Sequence, residues 1–149
     1  MRIVIDTNIW ISGLLWKGQP WDLLRLAETG RIELCMAPAM LEELSQVLAY
    51  EKFQPRLEQL KLSSAELLAY AINLSSVFDV PREGPIIVLA DPDDDVFIRC
   101  AIVAQAAYVV SGDYHLLDLE KYADIPILTV HDFLAREFPQ QLASPVDPA

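Results

Sequence analysis

IVIDTN, residues 3–8, is the stretch of sequence that decides the fold of this chain. Its first three residues are β-branched and show no polar alternation, a pattern typical of a strand buried on both faces in a parallel sheet. Open parallel sheets bind ligands beyond the carboxyl ends of their strands, and Asp6 lies at that end. Asp6 is therefore a candidate functional residue. Capping of the next helix by Asp6, Thr7 or Asn8 is the alternative explanation.

A second apolar strand, predicted at residues 107–110, is followed by Ser111, Gly112 and Asp113. It repeats the order of the first stretch, in which an apolar strand ends in hydroxyl and carboxylate side chains. If the two strands are parallel, Asp6 and Asp113 lie at the same edge of the sheet. The repetition favours a functional role for both carboxylates over helix capping alone.

A dense group of carboxylates, the stretch DPDDD at residues 91–95, precedes an apolar segment at residues 96–106. That segment is apolar nearly all round, which predicts a buried helix. One Asp suffices as the N-cap, and four carboxylates within five positions repel one another unless a cation lies among them. Because this helix starts at the same sheet edge, we expect Asp95 to lie beside Asp6 and Asp113.

A further carboxylate is expected from the helix predicted at residues 38–50. The apolar stripe of this helix includes Leu44 and Leu48, at the spacing of one helical face. Helical phase places Glu42 toward water and Glu43 at the edge of the stripe. Glu43 is therefore the carboxylate expected to point inward, although a Glu at the rim of the surface would show the same pattern.

Strands alternate with helices along the chain, which predicts an α/β fold with a mainly parallel sheet. The 149 residues suit one domain, which we expect to span residues 1–138. Residues 139–149 contain three prolines and are expected to form a partly disordered tail. Cys35 and Cys100 lie in apolar runs and are predicted to be buried thiols of a reducing compartment.

The formal net charge of the chain is −11, whereas nucleic-acid-binding proteins usually carry basic patches. This balance argues against tight, salt-driven binding of DNA, but it is compatible with a nuclease whose acidic site binds divalent cations. The most basic segment, residues 51–62, could guide a nucleic-acid strand or form a solvated helix face. No apolar run reaches the roughly 18 residues of a membrane span, so we expect a cytoplasmic protein without membrane contact.

The expected site offers only carboxylate oxygens, which select Mg²⁺ or Mn²⁺ over zinc. The two histidines, His115 and His131, are not spaced as zinc ligands. A carboxylate cage without a glycine-rich phosphate loop suits metal-assisted hydrolysis. In that reaction a cation activates water and stabilises the leaving oxygen of a phosphodiester.

Four motifs carry a resemblance to a known family: VIDTN at 4–8, LEELSQVL at 41–48, DPDDDVFIRCA at 91–101 and VVSGD at 109–113. In this order they make residues 2–135 resemble the PIN-domain family, and most of all the VapC-like toxins of prokaryotic toxin–antitoxin pairs. The resemblance implies a three-layer α/β/α fold and a Mg²⁺- or Mn²⁺-dependent endoribonuclease that cleaves single-stranded RNA. It also implies a cognate antitoxin protein that inhibits the nuclease, and a homodimer.

The resemblance also assigns roles to individual residues by position. The four acids of the family correspond to Asp6, Glu43, Asp95 and Asp113, which it implies are catalytic and bind the metal. Residues implied to support them are Thr7 or Asn8 beside Asp6, Ser111 where the family often has Thr, and Asp93 or Asp94 as alternatives to Asp95.

Three other functions share part of this pattern. A catalytically vestigial PIN-like module that acts by partner binding would keep the fold and lose metal binding. A haloacid-dehalogenase-type phosphatase also begins with an Asp after its first strand, but it needs a second Asp where Asn8 stands. A response-regulator receiver has paired acids after its first strand, whereas the acids here are divided between Asp6 and the segment near Asp95.

Overall fold

The computed structural model describes residues 1–89 and 91–143. Its strands are β1 (Arg2–Ile5), β2 (Glu33–Met36), β3 (Ser75–Val77), β4 (Tyr108–Val110), β5 (Lys121–Tyr122) and β6 (Ile125–Leu128). Its α-helices are α1 (Thr7–Leu15), α2 (Gln19–Glu28), α3 (Pro38–Leu48), α4 (Gln54–Leu60), α5 (Ser64–Leu74), α6 (Asp95–Ala104), α7 (Tyr114–Leu117), α8 (Val130–Glu137) and α9 (Pro139–Ala143). Two 3-10 turns, Glu51–Phe53 and Pro92–Asp94, precede α4 and α6.

The strands form one sheet in the order β3-β2-β1-β4-β6-β5. Neighbouring strands are parallel except β5 and β6, which pair antiparallel. The chain crosses toward β3 first and then returns past β1 to β4. Right-handed crossovers therefore place α1–α5 on one face of the sheet and α6 on the other. The predicted three-layer α/β/α fold with a mainly parallel sheet is confirmed.

The two central strands, β1 and β4, are covered on both faces. Ile3, Val4 and Ile5 are at most 1% exposed, and both valines of β4 are fully buried. This burial is the physical reason for the unbroken apolar pattern of both strands, since neither face meets water. The helix α6 packs against β1, β2 and β4, as expected for a helix that is apolar nearly all round.

The ends of the chain's elements follow local sequence signals. Pro38 occupies the first turn of α3, where a missing amide hydrogen costs nothing. The predicted tail begins with the short helix α9, and its residues 144–149 lie outside the described residues. Among the helices that the structure describes, none has the length and apolar character needed to cross a membrane.

Candidate acidic active site

The ends of β1 and β4 bring together most of the residues predicted to be functional. The two strands are parallel neighbours, with Ile5 paired to Val110, so Asp6 and Asp113 follow them at the same edge of the sheet. A small cleft lies at this edge, with about 70 Å³ of space for water-sized molecules. Its lining residues are Asp6, Thr7, Asn8, Glu43, Val47, Asp94, Phe97 and Asp113.

Asp6 is 3% exposed and uses both of its carboxylate oxygens. Oδ1 accepts a hydrogen bond from the amide of Ile9 at 2.9 Å, which caps α1. Oδ2 accepts hydrogen bonds from the amide of Gly112 at 3.2 Å and from the hydroxyl of Ser111. The pKa of Asp6 is raised overall, because burial raises it more than the hydrogen bonds to this carboxylate lower it. The nearby charge of Asp113 adds to the rise. Capping therefore explains one oxygen of Asp6, and the other links β1 to the end of β4.

Ser111 joins the two strand ends and is fully buried. Its hydroxyl donates to Asp6, and the same oxygen accepts a hydrogen bond from the amide of Asp113 at 2.9 Å. Oδ1 of Asp113 in turn accepts from the amide of His115 at 2.8 Å, at the start of α7. One buried hydroxyl thus fixes the spacing between the two carboxylates that the sequence repetition singled out.

Glu43 reaches the cleft from α3, as its helical phase predicts. Its Oε2 accepts a hydrogen bond from the hydroxyl of Thr7 at 2.8 Å, and its side chain is exposed on the open side of the cleft. The adjacent Glu42 points away and pairs with Arg82 at 2.8 Å. Thr7 therefore supports Glu43 instead of Asp6, contrary to the expected contact.

The structure differs from the sequence prediction at Asp95, which does not line the cleft. Its carboxylate is 2% exposed and accepts hydrogen bonds from the amides of Ile87 and Val88. Asp94 lines the cleft in its place, while Asp93 is exposed and lies outside the lining. The reason is the tight 3-10 turn before α6, which changes the phase expected for a regular helix.

Asp91 is a candidate residue that the sequence analysis did not single out. Carboxylate oxygens of Asp91, Asp94 and Asp113 all lie within 4.8 Å of one another. Asp91 caps the 3-10 turn that contains Asp94, so the two residues stand one turn apart. This spacing of three was present in the sequence and would have indicated Asp91 had a 3-10 turn been predicted.

The crowded carboxylates perturb the titration of Asp94. Burial and the neighbouring carboxyl of Asp113 raise the pKa of Asp94 to about 7, and the charges of Asp91 and Asp6 add to the shift. The oxygen Oδ2 of Asp94 is buried and has no hydrogen-bond partner within the described part of the chain. Such a site needs a proton or a cation to offset the repulsion. Its all-oxygen donors fit a hard divalent ion such as Mg²⁺ or Mn²⁺.

The basic segment 51–62 lies at the far end of α1 from the cleft. Arg56 donates from Nε to the carbonyl of Leu15 at 2.7 Å, and its guanidinium lies 5.8 Å from the ring centre of Trp16. The helix α1 begins at Thr7 beside the cleft, and its rise puts its last turn roughly 12 Å away. Arg56 thus packs against the end of α1, which favours the interpretation of this segment as a solvated structural face.

Comparisons with known proteins agree with the fold. A family model described as PIN domain matches residues 2–115. Four chains among the solved structures match. One of them, from the crystal structure of VapBC2 from Rickettsia felis bound to a DNA fragment from their promoter, has a TM-score of 0.57 and 16% sequence identity. The match covers 85% of this chain and 97% of that one. None of the curated proteins matches the chain.

Proposed function

The chain belongs to the PIN-domain family, and on that premise we propose that it is a metal-dependent endoribonuclease that hydrolyses phosphodiester bonds of single-stranded RNA. The observation that carries this proposal is the group of carboxylates from Asp91, Asp94 and Asp113, whose oxygens lie within 4.8 Å of one another beside Asp6. Four acids at one sheet edge exceed what helix capping requires.

The residues proposed to hold Mg²⁺ or Mn²⁺ are Asp113, Asp94 and Asp91, with Asp6 adjacent to them. When bound, the ion would supply Lewis-acid stabilisation of phosphate oxygens and would lower the pKa of a bound water. The unpartnered Oδ2 of Asp94 and its pKa of about 7 support this assignment, because a cation would keep the carboxylate ionised.

The chain's own side chains would position the reacting groups. Ser111 holds the strand ends that carry Asp6 and Asp113 at a fixed spacing. Thr7 fixes Glu43 on the open side of the cleft. We propose that Glu43 orients substrate or water there and that Asn8, which is exposed at the same cleft, contacts the RNA backbone.

The proposed biological role is that of the toxin in a toxin–antitoxin pair, working in the cytoplasm as a homodimer. A cognate antitoxin protein would be its inhibitory partner. The fold shared with a chain of the VapBC2 structure supports this role as an analogy of fold. The competing function, a vestigial module that acts by partner binding, keeps the fold and lacks measurable metal affinity.

Cleavage of a single-stranded RNA in Mn²⁺ and in EDTA tests the proposal. We expect cleavage that requires Mn²⁺ and that is abolished in Asp6→Asn and Asp113→Asn. Asp132→Asn removes an equal charge from an exposed position on α8 and should cleave like the wild type. Activity that survives in both cleft variants would overturn the assignment. Absence of both cleavage and Mn²⁺ binding in the wild type would favour the vestigial module.

A further inference from the structure

The first two turns of α6 hold the segment of residues 82–89 through two charged side chains, Asp95 and Arg99. We propose that these two are positioning residues, which fix Asp91 within the acidic cluster without touching the metal themselves. This inference rests on the proposed function, because it assigns Asp91 to a divalent-ion site. It gives Asp95 a different role from the ligand expected from the sequence.

Asp95 binds the segment through two backbone amides. Its Oδ1 accepts from the amide of Val88 at 2.6 Å, and its Oδ2 accepts from the amide of Ile87 at 3.0 Å. The carboxylate is 2% exposed, so loss of either bond would leave a charged group buried without its partner. Hydrogen bonds from amides to a buried carboxylate are among the stronger ones in proteins.

Arg99 grips the same segment by two carbonyls. Its Nη1 donates to the carbonyl of Arg82 at 3.1 Å, and its Nη2 donates to the carbonyl of Pro85 at 3.0 Å. Nη2 also lies 3.4 Å from Oδ2 of Asp95, one helical turn away on α6. The guanidinium therefore balances the buried charge of Asp95 while it binds backbone that Asp95 does not reach.

The held segment is connected to the acidic cluster by backbone hydrogen bonds. The carbonyl of Val88 accepts from the amide of Asp91 at 3.2 Å, and the carbonyl of Asp91 accepts from the amide of Asp94 at 3.0 Å. Because Asp94 is followed directly by Asp95, these bonds close a ring that begins and ends at the start of α6. The backbone of Asp91, which carries the carboxylate that caps the 3-10 turn, is thus connected to the point where Asp95 holds Val88.

Mn²⁺ titration calorimetry on the full chain tests this role with Asp95→Asn, Asp91→Asn and the double variant. Residues that orient metal ligands typically change metal affinity by roughly 10- to 100-fold. We expect Asp95→Asn to weaken Mn²⁺ binding by about this factor in the wild-type background. In the Asp91→Asn background it should have little further effect, because the ligand that it positions is already lost.

Arg99→Ala provides a second route should Asp95→Asn fail to fold, since it leaves the carboxylate in place and removes both carbonyl contacts. It should weaken Mn²⁺ binding in the same non-additive way, with Lys17→Ala, which removes an exposed positive charge, as the charge-matched control. In the metal-free protein, hydrogen exchange at the amides of Val88 and Asp91 should accelerate in both Asp95→Asn and Arg99→Ala. This readout is independent of metal binding.

The outcomes distinguish failure of the positioning role from failure of the proposed function. Mn²⁺ binding by the wild type that Asp95→Asn and Arg99→Ala leave unchanged overturns the positioning role and leaves the proposed function standing. Equal weakening in the wild-type and Asp91→Asn backgrounds also overturns it, since the effect would then not pass through Asp91. A wild type that binds no Mn²⁺ overturns the positioning role together with the proposed metal site, even if exchange at Val88 accelerates as expected.

Discussion

Ser111 donates a hydrogen bond from its buried hydroxyl to Oδ2 of Asp6, across 105 positions of sequence. The same oxygen accepts a hydrogen bond from the amide of Asp113, so removal of the hydroxyl affects both strand ends. A buried hydrogen bond to a charged group contributes about 1.5–3 kcal/mol. We expect Ser111→Ala to lower the free energy of unfolding by about that amount and to weaken Mn²⁺ binding. Urea unfolding and calorimetry measure the two effects, and unchanged values of both would show that this contact is dispensable.

The pKa of about 7 at Asp94 predicts a pH dependence of stability in the metal-free protein. Between the ordinary carboxyl pKa and about pH 7 the folded state retains a proton that the unfolded state has lost. The free energy of unfolding should therefore fall as the pH rises through this window. Asp94→Asn removes the titrating group, so the free energy of unfolding of this variant should fall less than that of the wild type over the same pH range. Urea unfolding in EDTA at pH 4.5 and 7.5 compares the two proteins, and equal losses would contradict the perturbed pKa.

Asp94 and Asp95 are adjacent in sequence, but substitutions at the two positions are predicted to have different effects. Asp94→Asn removes a proposed metal ligand. Mn²⁺-dependent cleavage should therefore fall by at least roughly 10- to 100-fold, the loss typical when a residue that only orients a metal ligand is replaced. The unfolding temperature of this variant without metal should not be lowered, because the substitution relieves repulsion. Asp95→Asn should lower the unfolding temperature of the metal-free protein, because it breaks a buried charged pair. Differential scanning calorimetry in EDTA distinguishes them, and the reverse order would return the ligand role to Asp95.

Glu43 and its neighbour Glu42 on α3 allow a comparison of two matched variants. Glu43→Gln should reduce RNA cleavage, because Glu43 lines the cleft and is held there by Thr7. Glu42→Gln should leave cleavage unchanged, since Glu42 is exposed and pairs with Arg82 at the surface, where ion pairs contribute little. Initial cleavage rates at saturating Mn²⁺ provide the comparison. Equal rates in the two variants would remove Glu43 from the proposed site.

The sequence was most informative where structure is local and regular. Asp6 and Asp113 follow apolar strands whose burial sets their pattern, and parallel pairing then fixes the shared edge. Glu43 lies within an uninterrupted helix, so its phase could be counted from neighbouring leucines. Ser111 was expected only as a supporting residue where the family often has Thr, and its contacts with Asp6 and with the amide of Asp113 depend on the loop after β4.

The segment around Asp95 was less predictable, for two physical reasons. A 3-10 turn before α6 rotates Asp94 into the cleft, whereas a regular helix was expected to bring Asp95 there. The buried carboxylate of Asp95 also binds the amides of Ile87 and Val88, a contact that spacing along the chain does not reveal. Asp91 was missed for the same reason, because its role depends on that turn.

The central claim is that Asp94 and Asp113, with Asp91 and Asp6 beside them, bind one hard divalent ion at the edge of the sheet. Anomalous diffraction from crystals grown with Mn²⁺ tests it most directly. The account predicts a manganese peak in contact with the carboxylates of Asp94 and Asp113, and no such peak in crystals of Asp113→Asn. A cleft without manganese in the wild type, or a peak at carboxylates elsewhere on the surface alone, would contradict it.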